Sequence, residues 1–119
     1  MICTLHIYLL LIMASNIASN LSLQSILEND KLNGTNFLNW YRNLRIVLKQ
    51  ERKEHVLDQP VPDEPAANAP KAQKDAYSKH VNESVDVTCL MLGSMESELQ
   101  KQLMEMEAYA MIGHLKEMF

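Results

Sequence analysis

Apolar residues recur along this chain at steps of three and four, and the clearest run is Phe37, Trp40, Tyr41, Leu44, Val47 and Leu48. That spacing places all six side chains on one side of a helix over about three turns. The opposite face carries Arg42, Arg45, Lys49, Arg52 and Lys53, interrupted by Glu51 and Glu54. Upstream, Leu21, Leu23, Ile26 and Leu27 form a shorter apolar rhythm that runs into Lys31-Leu32-Asn33-Gly34. Asn-Gly predicts a turn, and Thr35 or Asn36 can cap the helix, because a short side-chain oxygen satisfies the free amides of a first turn.

Four prolines between Pro60 and Pro70 cannot continue a helix, so 58–70 is expected to be an extended loop. Helical spacing resumes at Lys71 for about twenty residues, with Tyr77, Val81, Val85, Thr88 and Leu92 on one stripe and Ala76, His80 and Cys89 beside it. Gly93-Ser94 punctuates the pattern. Leu99, Leu103 and Met106 follow as a third stripe, and Ala108, Ile112, Leu115 and Phe119 as a fourth. No alternating strand pattern and no repeat of 20 to 50 residues interrupts this order. The expected class is all-α, a small helical bundle with a core of Trp40, Tyr41, Leu44, Val81, Val85, Leu92, Ile112 and Leu115.

Composition agrees with one domain that folds without staples: 119 residues, 47% hydrophobic and 22% charged, with three Gly and four Pro. The net charge of −4 excludes a general polyanion-binding field. Its distribution is uneven. Residues 83–117 hold seven acids against Lys101 and Lys116, opposite in sign to the 42–53 face, so head-to-tail attraction between copies is expected. The basic residues Arg42, Arg45, Lys49, Arg52 and Lys53 are also candidates for RNA phosphate contact with Trp40 or Tyr41 as stacking partners. The competing reading is a solvated helix face over a core that needs both aromatics. Six of the eight methionines lie between Met91 and Met118, as core filler or as an adaptable surface.

Residues 1–13 are strongly apolar but shorter than the roughly 20 residues a spanning helix needs. Two readings stand for this end. Either 1–12 is an appended extension before a start at Met13, followed by a leader over 13–35, or a secretory signal is cleaved near Ala18, with sequons at Asn20, Asn33 and Asn82 downstream. The first implies a cytoplasmic protein, the second a small secreted helical one. Cys3 and Cys89 are far apart without a Cys-x-x-Cys spacing, and Cys89 reads as a reduced, buried thiol.

Catalytic constellations fail in turn. No aspartate precedes Thr-Gly or Ser-Gly; Gly34, Gly93 and Gly113 stand alone; and His6, His55, His80 and His114 lack the partner spacing of a zinc hydrolase. Glu96/Glu98 and Glu105/Glu107 are two apart, which on a helix points them in different directions. The expectation is a non-enzyme without cofactor, metal or small-molecule substrate.

The segment Lys31-Leu32-Asn33-Gly34-Thr35-Asn36-Phe37-Leu38-Asn39-Trp40-Tyr41-Arg42-Asn43-Leu44-Arg45-Ile46-Val47-Leu48 resembles the start of the Gag protein of plant copia-type LTR retrotransposons. His55-Val56-Leu57-Asp58-Gln59-Pro60, Asp75-Ala76-Tyr77-Ser78-Lys79-His80, Cys89-Leu90-Met91-Leu92, Glu98-Leu99-Gln100-Lys101-Gln102 and the stretch from Ala108 to Phe119 follow in the same order, so the likeness covers about 13–119. It implies a helical, retroviral-capsid-like domain over 36–119, a structural protein that self-associates around the element's RNA. It also implies an incomplete domain that ends before the family's zinc knuckle, with weak self-association in this fragment.

Overall fold

A computed structural model describes residues 23–119 as six helices without a strand. The expectations about residues 1–12, a start at Met13 and a cleaved signal lie outside the described residues. In chain order the helices are α1 (23–29), α2 (Phe37–Glu51), α3 (His55–Asp58), α4 (Lys71–Gly93), α5 (Ser97–Leu103) and α6 (Ala108–Met118). The fold is an all-α bundle in which α6 packs on α3 and α4, and α4 on α3 and α5. Among the described residues no helix is long and apolar enough to cross a membrane.

One core joins all six helices. Leu27 of α1, Trp40, Leu44 and Leu48 of α2, Val56 of α3, Met91 of α4, Leu103 of α5 and Leu115 of α6 are all buried in it. Leu32, between α1 and α2, is buried in the same cluster. The boundary expected at residue 36 therefore does not separate a leader from the bundle, since its last dozen residues supply core side chains.

The α1–α2 turn forms as the Asn-Gly pair predicts. Gly34 takes φ +93°, and the Asn33 side-chain oxygen accepts from the Thr35 amide (3.0 Å) and hydroxyl (2.7 Å). This φ is where a side chain would be strained and glycine is not. Asn36 occupies the N-cap of α2 but does not cap it with its side chain. Its oxygen accepts from the Asn33 amide (3.1 Å), and its Nδ2 donates to Asp30 (3.0 Å) and to the Lys31 carbonyl (2.9 Å). The expected cap is thus turned backwards, because the turn offers three partners that fix the side chain there.

The other end of α2 closes in a left-handed residue. Arg52 sits at φ 61°, with its amide donating to the Lys49 carbonyl (3.2 Å) and the Lys53 amide to the Leu48 carbonyl (2.9 Å). This is the Schellman arrangement, normally built on glycine. The sharp reversal brings α3, a single turn that a periodicity reading does not detect, back onto the core with Val56 and Leu57 buried.

At the centre, the fully buried Trp40 donates from its indole nitrogen to the Ser94 hydroxyl at 3.1 Å. The Ser94 hydroxyl in turn donates to the Met91 carbonyl (2.9 Å), so both buried polar groups are satisfied. Two backbone bonds flank this point: the Leu32 amide to the Ser94 carbonyl (2.9 Å) and the Glu96 amide to the Leu32 carbonyl (3.0 Å). They stitch the α1–α2 connection to the α4–α5 connection across the end of the bundle.

The α4 helix starts at Lys71, behind Pro70, but its inner face differs from the expected one. Ser84, Val87 and Met91 are buried, while Val85 is 55% exposed and Val81 only half-buried. At ~100° per residue the buried stripe lies about a quarter turn from Tyr77, Val81, Val85, Thr88 and Leu92. Val85 is therefore not a core residue, and Val81 sits at the margin. Leu92 and Tyr41 are partly buried and pack against the core, and Ile112 is buried in it. The rotation also exposes Cys89, correcting the expectation of a buried thiol. The methionines divide: Met91, Met95 and Met111 fill the core, whereas Met104 and Met118 are exposed.

Candidate functional site

The basic face of α2 is not uniform. Arg45 is held by Asp58 (3.0 Å) and Glu54 (3.5 Å), and Lys53 by Asp86 (3.1 Å). The hydrogen bond to Asp58 raises the Arg45 guanidinium above its ordinary value, against the opposing effect of burial. These pairs tie α2 and its exit to α3 and α4, so two of the five candidate RNA contacts are engaged inside the fold. Arg42, Lys49 and Arg52 are exposed. Between them on the same face lie two exposed aliphatics, Leu38 at 75% and Ile46 at 47%. The α2 surface is therefore mixed, apolar and cationic by turns.

Neither Trp40 nor Tyr41 is free to take a base. Trp40 is wholly buried, and Tyr41 is covered by Phe37 (ring centroids 5.6 Å apart), Arg45 (5.4 Å) and Lys116 (5.1 Å). Cation–π contacts of this kind hold the two basic side chains over the ring. Near the start of α2, Gly34, Phe37, Asn39, Arg42, Lys116 and Phe119 line a cavity of about 690 Å³. Phe119 stacks on Phe37 at 5.7 Å. The cavity is bordered by amides, aromatics and two cations, and none of its lining side chains is a carboxylate, a histidine or a thiol.

A second surface lies along α4. The outward stripe of Tyr77, Val81, Val85 and Thr88 forms one wall of a groove of about 400 Å³. The α5–α6 connection forms the other, through Met104, Glu105, Met106 and Glu107. Met104 is 66% exposed, and Cys89 also lines the groove. Glu105 and Glu107 were expected to diverge as neighbours two apart on a helix. They lie instead in a non-helical connection, and both border the same groove.

The most concentrated titratable cluster joins α3 to α4. His55 Nε2 lies 2.6 Å from Glu83, whose other oxygen is 3.9 Å from Lys79, and the rings of His55 and His80 meet edge to face at 5.6 Å. The His80 Nε2 is buried without a hydrogen-bond partner among the described residues. Among the described residues, no group of three or more His, Cys, Asp or Glu is arranged to hold a metal ion. The cluster acts as a clasp that holds the short α3 turn on α4.

Sequence reasoning found the basic residues of α2 but missed their partners, which lie up to 33 positions away. It also missed the groove, whose α4 wall it assigned to the core. The signal was the stripe itself, which is apolar enough to pack against something.

Comparison of the chain with family models, with curated proteins and with solved structures gave no match.

Proposed function

We propose that the chain is a Gag-like structural protein of the copia type, whose activity is homotypic association through the outer faces of its helices. The observation that carries this reading is the way the resembling segments meet. The Lys31–Leu48 stretch supplies Leu32, Trp40 and Leu44 to the centre of the core, and the later segments supply Val56, Met91 and Leu115 to the same cluster. Motifs collinear with those of Gag thus act together as one folding unit rather than as scattered likenesses. The reading needs no turnover chemistry, and the exposed apolar residues of α2, α4 and the α5–α6 connection give it surfaces to work with.

RNA binding by the α2 face is the second reading, favoured by the unengaged Arg42, Lys49 and Arg52 and weakened by the loss of Arg45 and Lys53 to ion pairs. Sedimentation velocity over a hundredfold range of protein concentration tests the first reading. A mass that rises with concentration supports it, and a monomer throughout the range removes it. Fluorescence anisotropy with a labelled RNA at two salt concentrations tests the second, since phosphate contacts must weaken as salt rises.

A further inference from the structure

The groove along α4 is an apolar surface left open, and the same molecule carries a face with the complementary pattern. On α2, Leu38, Arg42, Ile46 and Lys49 follow at steps of four, four and three, which puts them within one outward stripe opposite the buried Trp40 face. All four are exposed or largely so. That stripe alternates aliphatic and cationic side chains. The groove offers what such a stripe requires: an apolar floor from Tyr77, Val81 and Val85, and two carboxylates, Glu105 and Glu107, at its border.

Three features fit the two surfaces to each other. Leu38 to Lys49 and Tyr77 to Thr88 cover the same number of residues, so at 1.5 Å per residue each stripe is roughly 16 Å long. The charges are opposite, and among the described residues none of Arg42, Lys49, Glu105 and Glu107 belongs to any of the ion pairs that hold the fold. The aliphatic residues are matched as well, with Leu38 at 75% and Ile46 at 47% exposure against Val85 at 55% and Met104 at 66%. A polyanion is a poor occupant of the groove, because two carboxylates border it.

We infer that the α4 groove receives the α2 outer face of a second copy of this chain, in a head-to-tail contact. The inference rests on the homotypic reading above and names its two surfaces. Because the surfaces share no residue, the pair keeps one free groove, on one molecule, and one free α2 face, on the other, after the first contact. Such a heterologous interface propagates, closing into rings or shells if the rotation allows and running on as a filament if it does not. Small individual contacts suffice when many act together.

Cys89 lies in the groove and supplies its own probe. In a Cys3→Ser background, Ile46→Cys places the only other thiol on the α2 stripe. A short bis-maleimide should then give a ladder of covalent oligomers joined 46 to 89, identified by mass spectrometry of the linked peptides. Linkage only 46 to 46 or 89 to 89 means an isologous contact and overturns the inference, as does association without any linkage.

Charge reversal is the second arm. Arg42→Glu/Lys49→Glu and Glu105→Lys/Glu107→Lys should each weaken association at least tenfold, and the fourfold variant that carries both reversals should recover to within about threefold of the parent. Helical content and melting temperature should be unchanged in all three, since the substituted side chains are exposed. A fourfold variant no better than either pair overturns the inference while leaving homotypic association intact. A parent chain that stays monomeric at every concentration overturns both.

Discussion

The α2 and α4 helices are both amphipathic, yet they divide their side chains differently. In α2 the large residues, Phe37, Trp40, Leu44 and Leu48, are buried, and what remains outside is mostly polar or charged, with Leu38 and Ile46 between. In α4 the buried stripe is modest, Ser84, Val87 and Met91, while Tyr77, Val81 and Val85 line an open groove. The first helix is committed to the core. The second buries one stripe inside the molecule and leaves another open on its surface.

The difference sets an order of mutational effects. Trp40→Ala is expected to cost about 3 to 5 kcal/mol, because it removes the largest buried side chain and its indole donor together. Urea denaturation followed by circular dichroism measures it, and a loss below about 1 kcal/mol would mean that the indole does not organise the bundle. Aspartate scanning on α4 is the sharper comparison. Val87→Asp buries an unpaired carboxylate and should cost on the order of 3 kcal/mol, whereas Val85→Asp, two residues earlier on the open face, should stay within about 1 kcal/mol. Equal costs at the two positions would erase the distinction between the faces.

Ser94→Ala should destabilise by roughly 1 to 3 kcal/mol, since it leaves the buried indole N–H of Trp40 without an acceptor. The variant Ser94→Ala/Trp40→Phe should recover part of that loss by removing the orphaned donor, and a double-mutant cycle reads the coupling. Arg52→Gly is expected to raise stability by about 1 kcal/mol, as glycine takes the left-handed φ at the α2 terminus without the steric cost an arginine meets. The smallest effect is expected at Asp58. Its partner Arg45 is reached at a half-exposed surface position, so Asp58→Asn should change stability by about 1 kcal/mol or less, and less still in high salt.

The same contrast explains which parts of the fold were legible in the sequence. The inner face of α2 was readable because its aromatic and aliphatic residues form a single stripe with no rival. The α4 helix was readable as a helix, from Lys71 to Gly93, but not in its orientation, since its apolar residues populate two neighbouring stripes. The core selected between them through contacts with α3 and α6, and the local pattern does not encode those contacts. The short α3 turn escaped detection because its four residues hold no period. Ser94, beside Gly93, looks like punctuation, and its structural role depends on a tryptophan 54 positions earlier. For the α2 basic face, charge was legible and availability was not, because Asp58 and Asp86 come from other elements.

The most direct measurement is sedimentation velocity of Val85→Asp beside the parent chain over the same concentration range. The parent should gain mass with concentration, and the variant should remain monomeric while keeping its stability within about 1 kcal/mol of the parent's. A variant that associates like the parent, or one that is monomeric only because it has lost the fold, would contradict the assignment of this α4 face to a neighbouring molecule.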